Sequence, residues 1–394
     1  MSMPLVARGL KLILLPFVLL PFLAAACGDN GVDSTVAVES GALSSNAAVS
    51  SAGWTIQSVA PARPVPTTDG DRHLVYELFF TNTRAANARI DAIEVIDPSC
   101  TTTVLARYAG DALARILQVD AGDAATGTVA AGAHAGAFFD LTQPRLGRLP
   151  EQLAHRITTG SGVVRGPTVS VLAGAARPVS PPLRGKNLID LNGCCRSPHT
   201  GALLLADSGD LFVAQRYAID FARLDDNGEL YAGDPSKNES FFTYGADIIA
   251  ATDGRIVAVR DGVAENIPTE PLPPATIESA PGNYVVEALA DGRFALYAHM
   301  QPGNVQVQPG QHVRRGQVLG LVGNSGNSTG PHLHFHVTDG PSPLESNGVP
   351  YVFDHFDLQA TVDLDDPDPE VVFVPQPQRR HNLLIMTGDI VTFP

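Results

Sequence analysis

Apolar and polar residues alternate along much of this chain with a period of two, as strands that bury one face require. The segment from His73 to Asn82 and the segment from Arg89 to Asp97 both follow this pattern, with a polar turn containing Asn82 and Asn87 between them. Ala135 to Leu141 follows it again. No helical periodicity intervenes, so residues 54–178 are expected to form a small β-sandwich of immunoglobulin-like type. Prolines then cluster from Arg177 to Leu183, which marks a boundary. A second, compact antiparallel β domain is expected over residues 184–358, with tight hairpins where glycine becomes dense after Gly282. Within it, Arg293 to Met300 reads as a strand ending in histidine, and Asn304 to Gly310 with Val313 to Gly320 reads as a hairpin leading to a strand from Pro331 to Val337. Residues 359–394 read as an acidic linker and tail. The acidic run is Asp363 to Glu370, and Leu383 to Met386 and Ile390 to Phe393 can pair back onto a sheet.

The start of the chain departs from this alternation. Arg8 and Lys11 precede an uncharged, mostly apolar run from Leu12 to Ala26 that contains Pro16 and Pro21. The run is too short and too broken for a comfortable membrane span, so residues 1–27 read as an export signal. Leu23 to Cys27 resembles the lipobox of bacterial lipoproteins, which makes Cys27 the lipid-attachment residue; plain secretion with cleavage after an alanine is the alternative. Residues 28–53 are small and polar and lack aromatic side chains up to Trp54, the composition of a flexible tether. Exported and membrane-anchored placement at the bacterial cell envelope follows, with membrane contact through the lipid only.

Composition narrows the partners. Asp and Glu number 41 against 26 Lys and Arg, a net charge of −15, and a surface so poor in cations cannot neutralise a polyanion, so nucleic acid is not expected to bind. An oxidising compartment allows Cys100, Cys194 and Cys195 to pair. A bridge from Cys100 to one of the adjacent pair would tie the two halves together, the alternatives being a vicinal bridge or a Cys/His zinc site that lacks the usual ligand spacing. His73, His134 and His155 are scattered singly and read as structural.

The chemistry concentrates near Gly323-Asn-Ser-Gly-Asn-Ser-Thr-Gly-Pro-His-Leu-His-Phe-His-Val337. On a strand, His332, His334 and His336 share one face while Leu333, Phe335 and Val337 bury the other. Neutral imidazole is a common zinc ligand, and neighbouring same-face rings can hold a metal and serve as acid or base beside it. A polar strand face open to solvent is the bland alternative.

Together with Gln215-Arg-Tyr-Ala-Ile-Asp-Phe221, Tyr244-Gly245, Ala250, Asp253-Gly254, Gly282-Asn283, Tyr297-Ala-His299, Gly310 and Gly316, this segment resembles the lysostaphin/LytM-type zinc metalloendopeptidases of bacterial cell walls over residues 215–337. The resemblance implies a metallopeptidase domain with one zinc ion in a groove and peptidoglycan peptides as substrate. It makes Asp220 and His334 metal ligands, His332 the residue that activates water, and His299 the residue that supports the developing oxyanion. Tyr297, Asn324 and His336 become candidates for lining the groove. The family's first histidine ligand falls on Arg216, which is permanently cationic and has no lone pair to donate. Either His199, a spare histidine upstream, supplies the missing ligand, or Arg216 pairs with Asp220 in a degenerate module that binds cell wall or activates a partner wall hydrolase. His336 also departs from the family, which often carries an acidic residue there. Carrier and phosphotransfer domains with similar hairpins, and an adhesive lipoprotein that works through its sandwich, are the remaining readings.

Overall fold

The computed structural model describes residues 48–100, 103–144, 147–195, 199–206, 208–272, 274–366, 371–374 and 376–394. The expected export signal, Cys27 and the expected tether up to residue 47 lie outside them. The expected tether ends early, because Ala48–Ser51 is a strand paired antiparallel with Trp54–Ser58. Among the described residues, no helix is long and apolar enough to cross a membrane.

The chain divides into two units. One comprises the described residues up to Pro64 together with Leu74–Gly174, and the other comprises Val65–His73 with Ala175–Pro394.

The first unit is layered from two sheets. One runs Ala48–Ser51, Trp54–Ser58, Asp71–Asn82, His134–Pro144, Leu117–Val119. The other runs Gly162–Arg165, Gln152–Thr159, Ala88–Ile96, Thr128–Val129, Gly122–Asp123, and Val104–Ala109 also pairs with Ala88–Ile96. Alternation explains the layering: along Gln152–Thr159 every second residue is buried. Trp54, Ile56, Leu78 and Phe80 from one sheet meet Ile90, Ile93, Val95 and Ile157 from the other in a single core. Tyr76 and Phe139 stack within it at a centroid distance of 4.8 Å.

The second unit is built on a sheet in the order His312–Val313, Gly254–Arg260, Tyr284–Leu289, Phe294–Ala298, Leu333–Thr338, Ile219–Arg223, Gly185–Asp190, Asp389–Phe393, Phe356–Thr361, Gln378–Arg380. Neighbouring strands are antiparallel throughout. Three of these strands come from beyond residue 355: Asp389–Phe393 pairs back onto the sheet, as the pattern from Ile390 to Phe393 allows, and Phe356–Thr361 and Gln378–Arg380 join it. The expected hairpin from Asn304 to Gly320 does not form. A turn from Arg314 to Gln317 sends His312–Val313 to Gly254–Arg260, and Val318–Leu321 to Asp247–Ile249 in a separate small sheet. Beneath the central strands, Phe221, Phe335, Tyr351, Phe353 and Phe393 form an aromatic cluster, with Phe335 and Tyr351 at 5.4 Å and Phe353 and Phe393 at 5.4 Å.

Cys194 and Cys195 are joined to each other, which overturns the expected bridge from Cys100 to one of them. Both are buried side by side in the turn that follows Asp190, so their sulfurs meet there.

His155 makes the first unit acid-sensitive. Its Nδ1–H donates to the Pro167 carbonyl at 2.7 Å, and Nε2 accepts from the Tyr76 hydroxyl at 3.0 Å, so the buried ring is neutral. Burial pushes its pKa down to about 4. An unfolded histidine titrates near about 6.5, so between these values the unfolded chain holds a proton that the folded chain lacks, and stability falls as pH drops. The contribution lost by pH 4 is on the order of 3 kcal/mol. Trp54, the chain's one tryptophan, lies in the same core and reports this unit's unfolding. Urea titrations followed by its fluorescence should show the pH slope between 6.5 and 4 flattened in His155→Gln by up to one proton; equal slopes in the two proteins would assign the acid sensitivity elsewhere.

Candidate metal centre

Two strand registers assemble the site. Asp220 on Ile219–Arg223 stands directly opposite His334 on Leu333–Thr338, and Ala298 on Phe294–Ala298 stands opposite His334 from the other side. Directly opposed residues point to the same face, so Asp220 and His334 meet. Their neighbours Phe221 and Phe335 point the other way, into the aromatic cluster. All six residues of Leu333–Thr338 are buried, so the strand has no solvent-exposed histidine face.

His334 Nδ1 lies 2.8 Å from Asp220 Oδ1. His332 Nε2 is 3.4 Å from the same oxygen, and His199 Nε2 is 3.4 Å from Oδ2. The His334 ring faces that of His199 with centroids 4.9 Å apart and that of His299 at 5.6 Å, while His299 and His332 are 4.8 Å apart. His199 is therefore brought to the cluster.

The route of His199 begins at the end of Gly185–Asp190, where the Leu191 N–H donates to the Asp220 carbonyl at 3.0 Å. Asn192 follows. Its side-chain amide donates to Asp220 Oδ2 at 2.9 Å and its carbonyl accepts the His199 Nδ1–H at 2.9 Å, which leaves Nε2 of His199 toward the carboxylate. Leu191-Asn192-Gly193 reads as an ordinary turn in sequence, so nothing in it signals this role. Arg216 is buried, and its guanidinium donates to the Gly348 carbonyl at 2.6 Å.

His299 follows its strand with a φ of 63°, a left-handed conformation uncommon for residues with a Cβ. Its N–H donates to the Pro281 carbonyl at 3.1 Å and its Nδ1–H to the Ser325 carbonyl at 2.8 Å. The loops that carry these carbonyls touch backbone to backbone: a Cβ on Gly282 would strike the Ser325 carbonyl, and one on Gly326 would strike the Gly282 nitrogen. Glycine is required at both, and both have positive φ. His332 is oriented similarly, its Nδ1–H on the Gly330 carbonyl at 2.8 Å, while its Nε2 is buried without a hydrogen-bond partner.

Tyr297, Asn324 and His336 are fully buried and line no open groove. The Tyr297 hydroxyl donates to Glu287 at 2.6 Å, and Asn324 donates to Asn238 at 2.9 Å and accepts from Ser328 at 2.6 Å. Interior partners satisfy Tyr297 and Asn324, a fact invisible in strand alternation alone. His336 Nδ1 lies 3.0 Å from His334 Nε2.

Burial alone would raise the Asp220 carboxyl, but the surrounding imidazoles hold it well below the usual carboxylate range. Burial likewise pushes His199 down to about 4 and His299 well below an ordinary histidine, with neighbouring rings adding to the effect. At His332, burial is outweighed by Asp220, and its pKa rises.

The donor set suits zinc. One ligand atom each from His199, Asp220 and His334 lies within 4.8 Å of the others, and two imidazoles with one carboxylate form a three-ligand set of the catalytic type. The Nε2 of His332, 3.4 Å from Asp220 Oδ1, sits beside it.

Residues 241–346 match peptidase family M23. This span contains His299, His332, His334 and His336 and begins after Asp220. Peptidoglycan DD-endopeptidase ShyC of Vibrio cholerae is 30% identical over 120 residues, which are 30% of this chain and 25% of that protein. DD-carboxypeptidase/endopeptidase Mpg of Neisseria meningitidis is 41% identical over 68 residues, 17% of this chain and 15% of that one. The chain thus covers a quarter or less of the length of these two relatives. Among solved structures, the catalytic domain of lysostaphin from Staphylococcus simulans aligns at 21% identity and a TM-score of 0.23, covering 41% of this chain and 88% of that one. By the family match alone, residues 241–346, which carry these four histidines, are of peptidase family M23.

Proposed function

We propose that this chain is a zinc metalloendopeptidase that hydrolyses peptide cross-links of bacterial peptidoglycan, with His199, Asp220 and His334 holding the ion. The observation that carries this reading is the convergence of His199 Nε2 and His334 Nδ1 on Asp220, at 3.4 Å and 2.8 Å. It answers the absence of a donor at Arg216. The DD-endopeptidase relatives support the substrate class, and an envelope location follows from it, with Cys27 as the proposed lipid anchor. The acidic chain gains no general attraction to an anionic wall, so recognition falls to local contacts.

Bound zinc would supply Lewis-acid polarisation of a carbonyl and acidify water. The chain's own residues do the rest. His332, with Nδ1–H fixed on Gly330, offers Nε2 to take the proton of the attacking water and return it to the leaving amine. His299, with Nδ1–H fixed on Ser325, can donate from Nε2 only after that atom is protonated. Burial keeps it neutral at rest, so its donation strengthens only as negative charge develops on the substrate oxygen, the condition for stabilising a transition state rather than a ground state.

Two predictions follow from these assignments. The full chain, equilibrated with zinc and freed of excess, should hold one ion by elemental analysis, and His334→Ala and His199→Ala should each abolish it. No zinc in the parent would overturn the enzyme reading, and full occupancy in His199→Ala would overturn the replacement ligand. On cross-linked wall peptides, His332→Ala should lower kcat by about 10²–10⁴-fold with zinc retained, and His299→Ala by about 10²–10³-fold. A variant that keeps wild-type kcat would remove that residue from the chemistry.

A further inference from the structure

His334 presents its two ring nitrogens to different partners. Nδ1 faces Asp220 at 2.8 Å, and Nε2 faces Nδ1 of His336 at 3.0 Å. The His334 and His336 rings stand nearly perpendicular, at 87°, with centroids 5.1 Å apart, and His336 is fully buried. Two imidazole nitrogens at that distance share one proton, and which ring donates is set by the opposite side of His334.

Without a metal ion, the ionised Asp220 can only accept, so His334 carries its proton on Nδ1 and its Nε2 accepts from His336 Nδ1–H. An ion held between Asp220 and His334 would be held through the Nδ1 that faces Asp220, and a ligand nitrogen must be bare. The His334 proton then sits on Nε2, and His336 Nδ1 must accept it. A carboxylate in place of His336 could perform only the second task, and an apolar residue neither. Neutral imidazole can perform both, by moving its own proton from Nδ1 to Nε2. The Nε2 atom of His336 makes no hydrogen bond in this structure, and the Pro343 backbone lies against the ring as an acceptor for it.

We propose that His336 is a positioning residue that holds His334 in both tautomers and exchanges its own tautomer when metal binds. The protons balance. On ligation, His334 Nδ1 would release its proton to solvent, the shared proton would pass from His336 Nδ1 to His334 Nε2, and His336 Nε2 would take one proton from solvent. This inference rests on the zinc reading above and assigns His336 no contact with substrate.

The test is a two-bond proton–nitrogen spectrum of the unmodified full chain labelled at histidine nitrogen, recorded with and without zinc. Both His334 and His336 should change from protonation at Nδ1 to protonation at Nε2. Zinc binding with an unchanged His336 tautomer would overturn the proposal while leaving the zinc reading intact. Failure of the chain to bind zinc at all would overturn both. Chelator competition gives a second readout: His336→Leu should weaken zinc affinity about 10–100-fold, and His336→Glu, which can still accept, should restore most of it. Affinity within twofold of wild type in His336→Leu would also overturn the assignment.

Discussion

The opposition of Asp220 and His334 across two antiparallel strands is the contact on which the rest of the site depends. A slip of one residue would turn Asp220 into the aromatic cluster and Phe221 toward the histidines, because strand side chains alternate faces. Burial of Phe221 and Phe335 beneath the same strands therefore locks the register that brings carboxylate and imidazole together. The apolar core and the polar cluster are two faces of one pairing.

Around that pair, backbone carbonyls do most of the orienting. His299, His332 and His199 each place Nδ1–H on a carbonyl, from Ser325, Gly330 and Asn192 in turn, so each directs Nε2 toward the cluster. Fixing a ring through its far nitrogen sets both tautomer and direction, which is how outer partners tune a metal site. His334 is the exception: its far nitrogen meets another imidazole, a partner that can donate or accept.

The position of Arg216 gives the site its particular character. A guanidinium cannot ligate a metal, and here it donates a hydrogen bond to the Gly348 carbonyl. The histidine proposed in its place, His199, follows the strand that ends at Asp190, and Asn192 binds both it and Asp220. The chain between Asn192 and His199 contains the Cys194–Cys195 bond.

Period-two alternation by itself determined that the chain is mainly β and that Asp71–Asn82, Ala88–Ile96 and His134–Pro144 are strands, because each buries one side of a sheet. Alternation put His332 and His334 on one face of a strand, since alternate strand positions share a face, and it was the family resemblance, not spacing, that joined Asp220 to them. Neither could reveal that Tyr297, Asn324 and His336 are interior, because a strand with both faces covered alternates like one with a wet face. Nor could they separate a vicinal disulfide from a long-range one, or place Phe356–Thr361 and Gln378–Arg380 in the main sheet. Whether His199 reaches Asp220 was likewise open in the linear order, where 21 positions separate them. Only the tertiary structure decided it, because strand pairing returns the chain beside Asp220 at Leu191 and leaves the following loop no distance to cross.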